Sequence, residues 1–288
     1  MTGLSKIRHN VYMKIQRIAG ALGAEVSELD LSQPLSQGLV QDVRGLWLEH
    51  QVLFFLDQQL NAEQYMRFAQ SVGEPVEYPF VKGLPNTPMI IEVKKLAHER
   101  VNFGGIWHAD TTYQAIPPMA TMLLARELPP FGGDTLFASQ YMAWNELSDT
   151  FKTLLEPLKG ISSSAKADVS KTREDRLASD GSEQARRELR AVHPIRRIHL
   201  ETGKPALYVN VAHTAGIEGM KDEEAQPILN YLFQHQVRPE FTCRFKWRAG
   251  ALALWDNRCV QHNPVNDYHG YRRILHRISL AGDQAGQD

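Results

Sequence analysis

The sequence predicts a mainly β fold, a sandwich or barrel carrying helical insertions. Three observations point there. Beyond Gly73 the chain breaks into short apolar or alternating runs, Gly, Pro, Asn and Asp separate them, and helical periodicity is confined to a few stretches. Many short strands with turn signals between them close into sandwiches or barrels.

Taken in order, a turn-rich stretch with Gly20 and Gly23 leads into "AEVSELDL", which alternates loosely. Leu39, Val40, Val43, Leu46 and Trp47 recur at helical spacing. The apolar run "QVLFF" follows and suits a buried strand. Asn61 and Gln64 then form a capping box ahead of Tyr65, Phe68, Ala69 and Val72, which predicts a second helix. The strand-like runs after that are "PMIIEV", "ATMLLARE", "DTLFAS", "ALYVNV", "FTCRFKW", "ALALWD" and "RRILHRISL". Helical insertions are expected around Tyr141 to Leu158 and Glu223 to His235. Residues 162–190 are polar, highly charged and nearly free of bulky apolar side chains, which predicts a loop insertion or a mobile lid over bound substrate.

Composition narrows the function. The 288 residues offer ample apolar content for a core. Lys and Arg number 32 against 33 Asp and Glu, which argues against a nucleic-acid protein held by a basic face. Two cysteines, an N-terminus without an apolar stretch, and no run approaching the roughly 18 apolar residues of a membrane span predict a cytoplasmic protein outside any membrane.

The chemistry begins in "WHADTTY", Trp107 to Tyr113. In extended backbone, side chains at i and i+2 leave on the same face, so His108 and Asp110 can address one ion while Ala109 turns away. Alone, the pair is a weak signal and far more often describes a histidine hydrogen-bonded to a neighbouring carboxylate. A second half lies in "WDNRCVQHNPVNDYHGYRRILHRISL". There His262 follows a strand-like run, and Arg273, Leu275 and Arg277 share one face of a later strand. Two arginines facing inward from an apolar strand are costly to bury unless they meet anions. Two histidines and a carboxylate make the facial triad that suits non-haem Fe(II) and leaves positions open. A 2-oxo acid can chelate there, with Arg273 as bidentate partner of its far carboxylate and the Thr135 hydroxyl of "GGDTLF" beside it.

On "WHAD", "PPFGGDTLF", "WDNRCVQH" and the paired arginines of "RRILHR", in that order and spacing, the chain resembles the taurine dioxygenase (TauD/TfdA) family. The resemblance runs from about Gly23 to Gly282, and it treats residues 1–288 as one domain. It implies a double-stranded β-helix, or jelly roll, flanked by helices. It implies Fe(II) held by His108, Asp110 and His262, with 2-oxoglutarate and O₂ as cosubstrates. Thr135 and Arg273 would hold the C5 carboxylate, Arg277 would lie near the C1 end and the substrate anion, and Trp255 would stand near the iron. The implied reaction hydroxylates a C–H bond while 2-oxoglutarate becomes succinate and CO₂. Asp110 favours hydroxylation over halogenation, which needs that position vacant. By the same resemblance the protein forms a homo-oligomer, a dimer or tetramer.

The expected substrate is a small anionic compound: a sulfonate, an alkyl sulfate or an aryloxyalkanoate. "GEPVEYPFV" and Gly104 depart from the taurine enzymes, whereas "YVNVAHTAGIEGM" looks more like the aryloxyalkanoate branch. Tyr78, Asn102, Tyr113 and His213 are the pocket candidates beside Arg277. His193, His199, His235, His269 and His276 read as surface or structural, Trp107 and Trp144 as packing, and Cys259 as turned away from His262. Two rival readings stand beside the dioxygenase: a metal-dependent hydrolase on the same His/Asp/His set, and a non-catalytic jelly-roll binding module.

Overall fold

A computed structural model describes residues 13–79, 81–102, 104–166 and 188–283. The N-terminal part follows the predicted order. β1 (Lys14–Arg17) pairs antiparallel with β2 (Ala24–Ser27), and β2 runs parallel to β3 (Val52–Phe55). Between them lies α1 (Gln37–His50), started by the Ser36 hydroxyl accepting from the Leu39 N–H. α2 (Ala62–Val72) begins with the Asn61/Gln64 capping box, both reciprocal hydrogen bonds being present.

Next come β4 (Pro75–Val76), β5 (Ile91–Lys95), β6 (Ala120–Glu127) and β7 (Thr135–Ser139). The helix expected over Tyr141 to Leu158 is two: α3 (Gln140–Asn145) and α4 (Asp149–Leu155). Buried Leu147 marks the break, and Ser148 caps the second helix by accepting from the Phe151 N–H. β8 (Lys159–Ser163) pairs with β9 (Arg190–Pro194), Ser163 opposite Arg190. Both ends of the polar 162–190 stretch therefore belong to strands, which shortens the predicted insertion. The lid reading falls on residues 167–187, outside the described residues.

β10 (Arg196–Ile198) and β11 (Pro205–Leu207) form a hairpin, and β12 (Thr214–Ile217) adds to β8. Of "ALYVNV" only the beginning is strand. Asn210 leaves the ladder because its side chain accepts from the His213 N–H and its own N–H goes to Thr214 Oγ1. Such local side-chain bonds compete with sheet pairing. α5 (Asp222–His235), β13 (Thr242–Phe245), β14 (Leu252–Asp256), β15 (Val260–Pro264) and β16 (Arg273–Leu280) complete the chain.

The strands sort into an eight-stranded sheet, in the order β1-β2-β3-β14-β6-β16-β4 with β5 also on β16, and smaller sheets, including β13-β7-β15. The period-two alternation of the central strands decides the layering. Val52, Phe54, Leu123, Ala253, Trp255 and Leu275 point into a core shared with Phe137 and Phe245 of the smaller sheet. Phe54 stacks on Phe245 with ring centroids 3.9 Å apart. The intervening residues Leu53, Phe55, Met122, Leu124, Leu252 and Leu254 pack beneath α1 and α2, against Val43, Trp47 and Phe68. Burial on both faces explains why "VLFF" is apolar throughout. A third core joins α3, α4 and α5 to the β10–β11 hairpin. The result is a mainly β protein with a jelly-roll core flanked by helices, as predicted. No helix among the described residues is long and apolar enough to cross a membrane.

Candidate active site

The mouth of the two-sheet core carries His108 and His262. The loop with His108 adds one bridge to the edge of β15: His108 N–H donates to the His262 carbonyl (3.0 Å), and His262 N–H to the His108 carbonyl (2.8 Å). Directly opposed residues send their side chains to one face, and the rings lie 4.1 Å apart. His108 Nδ1 donates to the Ile106 carbonyl at 2.7 Å, which leaves the Nε2 lone pair facing outward. A backbone carbonyl in that role fixes the tautomer a metal ligand needs.

Asp110 completes the group, with one ligand atom from each residue within 4.8 Å of the others. His108 Nε2 lies 3.7 Å from Asp110 Oδ1, less than twice a metal–ligand bond of about 2.1 Å. Burial alone would raise the Asp110 carboxyl, but the Arg277 guanidinium, both histidines and the Thr121 hydroxyl outweigh it and hold it well below its usual range. Burial likewise keeps both imidazoles neutral, pushing His108 below its ordinary value and His262 well below. A carboxylate with two neutral imidazoles is the donor set for a divalent cation.

A hydrogen-bond frame orients Asp110. Thr121 Oγ donates to Asp110 Oδ2 at 2.6 Å and accepts from Asn257 Nδ2 at 2.9 Å. Asn257 Oδ1 accepts from the Trp255 indole at 2.9 Å and, more loosely, from the Asp110 backbone N–H at 3.4 Å. Trp255 itself lies 4.6 Å from the His262 ring.

Behind the triad an inner cavity is walled by Val93, Leu123 and Trp255, with Thr135, Arg273 and Arg277 at its polar end. Arg273 and Arg277 are 4% and 5% exposed. Arg273 keeps Nε and Nη2 buried without a hydrogen bond, its guanidinium flanked by the rings of Trp247 and Tyr268. Trp247 Nε1 donates to Thr135 Oγ1 at 2.9 Å, so the Thr135 hydroxyl hydrogen stays available for an anion. Gly133, at φ +70°, lets the loop pass close: a Cβ there would come within 3.2 Å of Arg273 Cδ and Tyr268 Cδ1. Arg277 Nη2 stands 3.1 Å from Asp110 Oδ1, an ion pair whose angle makes no hydrogen bond. Two buried guanidiniums with unmatched donors beside a hydroxyl donor fit a dicarboxylate.

A separate cleft of about 700 Å³ is walled by Glu77, Tyr78, Tyr113, Gln114, Ile116 and Arg190. Of the pocket candidates, Tyr78 and Tyr113 line it, and the Tyr78 ring lies 4.7 Å from the Arg277 guanidinium. His213 stands 4.9 Å from the Tyr113 ring and 6.0 Å from that of His108. Neither His213 nor Asn102 lines the cleft; Asn102 is buried and donates to the Pro264 carbonyl.

The model of the taurine catabolism dioxygenase TauD, TfdA family matches residues 14–279. The chain belongs to this family. It is accordingly an Fe(II)- and 2-oxoglutarate-dependent dioxygenase. It is 32% identical to an alkylsulfatase of Acinetobacter baylyi over 94% of this chain and 86% of that protein. An α-ketoglutarate-dependent sulfate ester dioxygenase of Pseudomonas putida is 30% identical over 97% and 93%. The crystal structure of a taurine dioxygenase from Burkholderia xenovorans superposes with a TM-score of 0.80 at 30% identity, covering 94% of this chain and 91% of that one.

Sequence reasoning missed several residues of this dioxygenase site. Thr121 lies within an apolar strand run, and Asn257, Trp247 and Tyr268 had no ligand-like spacing. A second buried group, His199, Asp256 and Cys259, also lies outside the expected site. His199 Nε2 donates to Asp256 Oδ2, and Arg258 binds both oxygens of Asp256 at 2.7–2.8 Å. With its carboxylate saturated by a guanidinium, that group is a structural ion cluster. His193 and His235 are buried and donate to backbone carbonyls, while His269 is exposed.

Proposed function

We propose that His108, Asp110 and His262 hold the iron, that Thr135 and Arg273 grip the C5 carboxylate of 2-oxoglutarate, and that Arg277 serves the C1 end and the anion of the substrate. The substrate class is an alkyl sulfate ester with an apolar chain. The observation that carries the reading is the pair of buried guanidiniums beside the triad, one of which, Arg277, lies 4.7 Å from the ring of Tyr78 in the cleft wall. The names of two relatives, an alkylsulfatase and a sulfate ester dioxygenase, support that class. A hydrolase on the same ligands has no use for a dicarboxylate anchor.

Bound iron(II) supplies O₂ activation coupled to decarboxylation of 2-oxoglutarate. The chain's own residues do the rest. Arg273 and Thr135 fix the diacid at one end, so its 2-oxo acid end faces the triad. Asp110, held ionised and oriented by Thr121, is the one anionic member of the ligand set, so the metal and the two arginines leave a net positive charge for the diacid and the sulfate to meet. Arg277 pins the sulfate group, and Tyr78, Tyr113 and Ile116 seat the apolar chain, so that the carbon bearing the ester oxygen meets the triad. Hydroxylation of that carbon places a hydroxyl and a sulfate on one atom. The C–O bond to sulfate then breaks, giving an aldehyde and hydrogen sulfate.

The test is a panel of linear alkyl sulfates, alkanesulfonates and phenoxyacetates, incubated with Fe(II), 2-oxoglutarate and O₂. Alkyl sulfates are expected to release succinate, sulfate and aldehyde in equal amounts. Turnover confined to sulfonates or phenoxyacetates removes the sulfate-ester assignment, and succinate formation on none of them removes the whole reading.

A further inference from the structure

Beside the two arginines, a third buried cation stands next to the diacid pocket. In the β5–β16 ladder Lys95 lies opposite Arg273, Val93 opposite Leu275 and Ile91 opposite Arg277. Directly opposed residues of an antiparallel pair share a face, so Lys95 belongs to the surface that presents both arginines. Its neighbour two positions back, Val93, lines the inner cavity.

Lys95 is 2% exposed, and its Nζ makes no hydrogen bond. It contacts the ring of Tyr268, 4.4 Å away, and the Arg273 guanidinium approaches the same ring at 5.9 Å. Glu99 is the acid whose field reaches it, but a Glu99 oxygen accepts from the Leu96 N–H, and no ion pair to Lys95 is found among the described residues. Burial lowers the lysine's hold on its proton.

Like charges set opposite each other on a strand pair oppose folding, and a buried cation held without an ion pair or hydrogen bond does so more strongly. Glu99 and Asp134 offset the charges of Lys95 and Arg273 through their fields, without an ion pair to either among the described residues, and an arriving anion relieves the positive charge that is left. We propose that Lys95 is a positioning residue for the cosubstrate: through the Tyr268 ring it holds Arg273 in place and adds a second positive charge to the field that receives the far carboxylate of 2-oxoglutarate. The inference rests on Arg273 being the diacid anchor.

The experiment compares the full chain, loaded anaerobically with Fe(II), with Lys95→Met and the more polar Lys95→Gln. Each is titrated with 2-oxoglutarate and with 2-oxopentanoate, which lacks the far carboxylate. The neutral variants are expected to bind 2-oxoglutarate about ten- to thirtyfold more weakly and 2-oxopentanoate as the parent does. At saturating 2-oxoglutarate, kcat stays within about twofold of the parent, since Lys95 acts on the bound diacid at a distance. The ligand-free Tm of Lys95→Met is expected above that of the parent, because a buried ammonium without a hydrogen bond has gone. Unchanged 2-oxoglutarate affinity, an equal loss for both acids, or a lowered Tm in both variants overturns the proposal. A parent that does not distinguish the two acids instead removes the diacid anchor itself.

Discussion

His108 and His262, 154 positions apart in the chain, are direct cross-strand partners that exchange both backbone hydrogen bonds. The backbone, more than either side chain, thus sets the spacing of the two imidazoles. Replacing one ring should leave that bridge in place, because its donors and acceptors are main-chain atoms. His108→Ala and His262→Ala are expected to fold, to lose the visible charge-transfer band that Fe(II) and 2-oxoglutarate form anaerobically, and to form no substrate-dependent succinate. Turnover at the parent level in either variant contradicts the iron assignment.

Thr121 acts one step further out. Its hydroxyl donates to Asp110 Oδ2 and accepts from Asn257, so Thr121→Val removes both bonds with little change of volume. Loss of an outer hydrogen bond to a ligand typically weakens metal binding about 10- to 100-fold. Anaerobic Fe(II) titration should show a shift in that range, with 2-oxoglutarate affinity measured at saturating metal unchanged. Parent-like iron affinity would separate Thr121 from the site.

The depth to which sequence reaches is uneven, and the reasons are physical. The α2 capping box and the alternation of β14 and β16 are local patterns, so Asn61, Gln64, Arg273 and Arg277 were legible from spacing alone. The His108-x-Asp110 pair was legible as a shared face but not as a ladder partner of His262, because registers between distant strands leave no local trace. The bond from Asn102 to the Pro264 carbonyl was hidden in the same way, since the two residues are 162 positions apart. Thr121 and Trp247 were invisible: each looks like ordinary strand packing until its hydroxyl or indole finds a partner. The break between α3 and α4 was hidden for the same reason, since Leu147 continues the apolar texture while leaving the helix.

The ion cluster beneath the site predicts a stability effect separable from catalysis. Arg258 is 2% exposed and binds Asp256, Glu201 and Asp283. Arg258→Met leaves the 1% exposed Asp256 with only His199 as a side-chain partner. Breaking a buried pair from one side costs about 3–5 kcal/mol. Thermal unfolding should show a Tm lowered by roughly 6–15 °C. A shift of a degree or less would mean that the carboxylates relax into solvent.

His193 predicts a pH dependence. It is buried, Nε2 donates to the Thr112 and Gln114 carbonyls, and burial lowers its pKa below the ordinary 6.5. As pH falls through that value the unfolded chain takes up a proton that the folded chain refuses, so stability falls with pH. The contribution is present above about pH 6.5 and is lost below it, by at most about 1.4 kcal/mol per pH unit. Denaturant unfolding of the metal-free chain at pH 7.5, 6 and 5 should show a steeper loss in the parent than in His193→Gln. Equal slopes would assign the acid sensitivity elsewhere.

The diacid end of the pocket separates charge from orientation. In the proposed pocket Arg273 would supply the charge, and its loss would leave a buried carboxylate unpaired, which costs about 2–5 kcal/mol. Trp247 supplies only orientation: its indole N–H occupies a Thr135 lone pair and leaves the hydroxyl hydrogen to point at the carboxylate. Arg273→Met should therefore weaken 2-oxoglutarate binding by about thirtyfold or more. Trp247→Phe keeps a ring beside the guanidinium and removes one neutral hydrogen bond, worth about 0.5–1.5 kcal/mol, so a loss of roughly two- to tenfold is expected. Combined with Thr135→Val, Trp247→Phe should add almost nothing, because its effect passes through the hydroxyl that the valine lacks. Equilibrium titration of the four proteins with 2-oxoglutarate measures that coupling. Full additivity of the two substitutions would show that Trp247 acts on Arg273 by packing and not on Thr135.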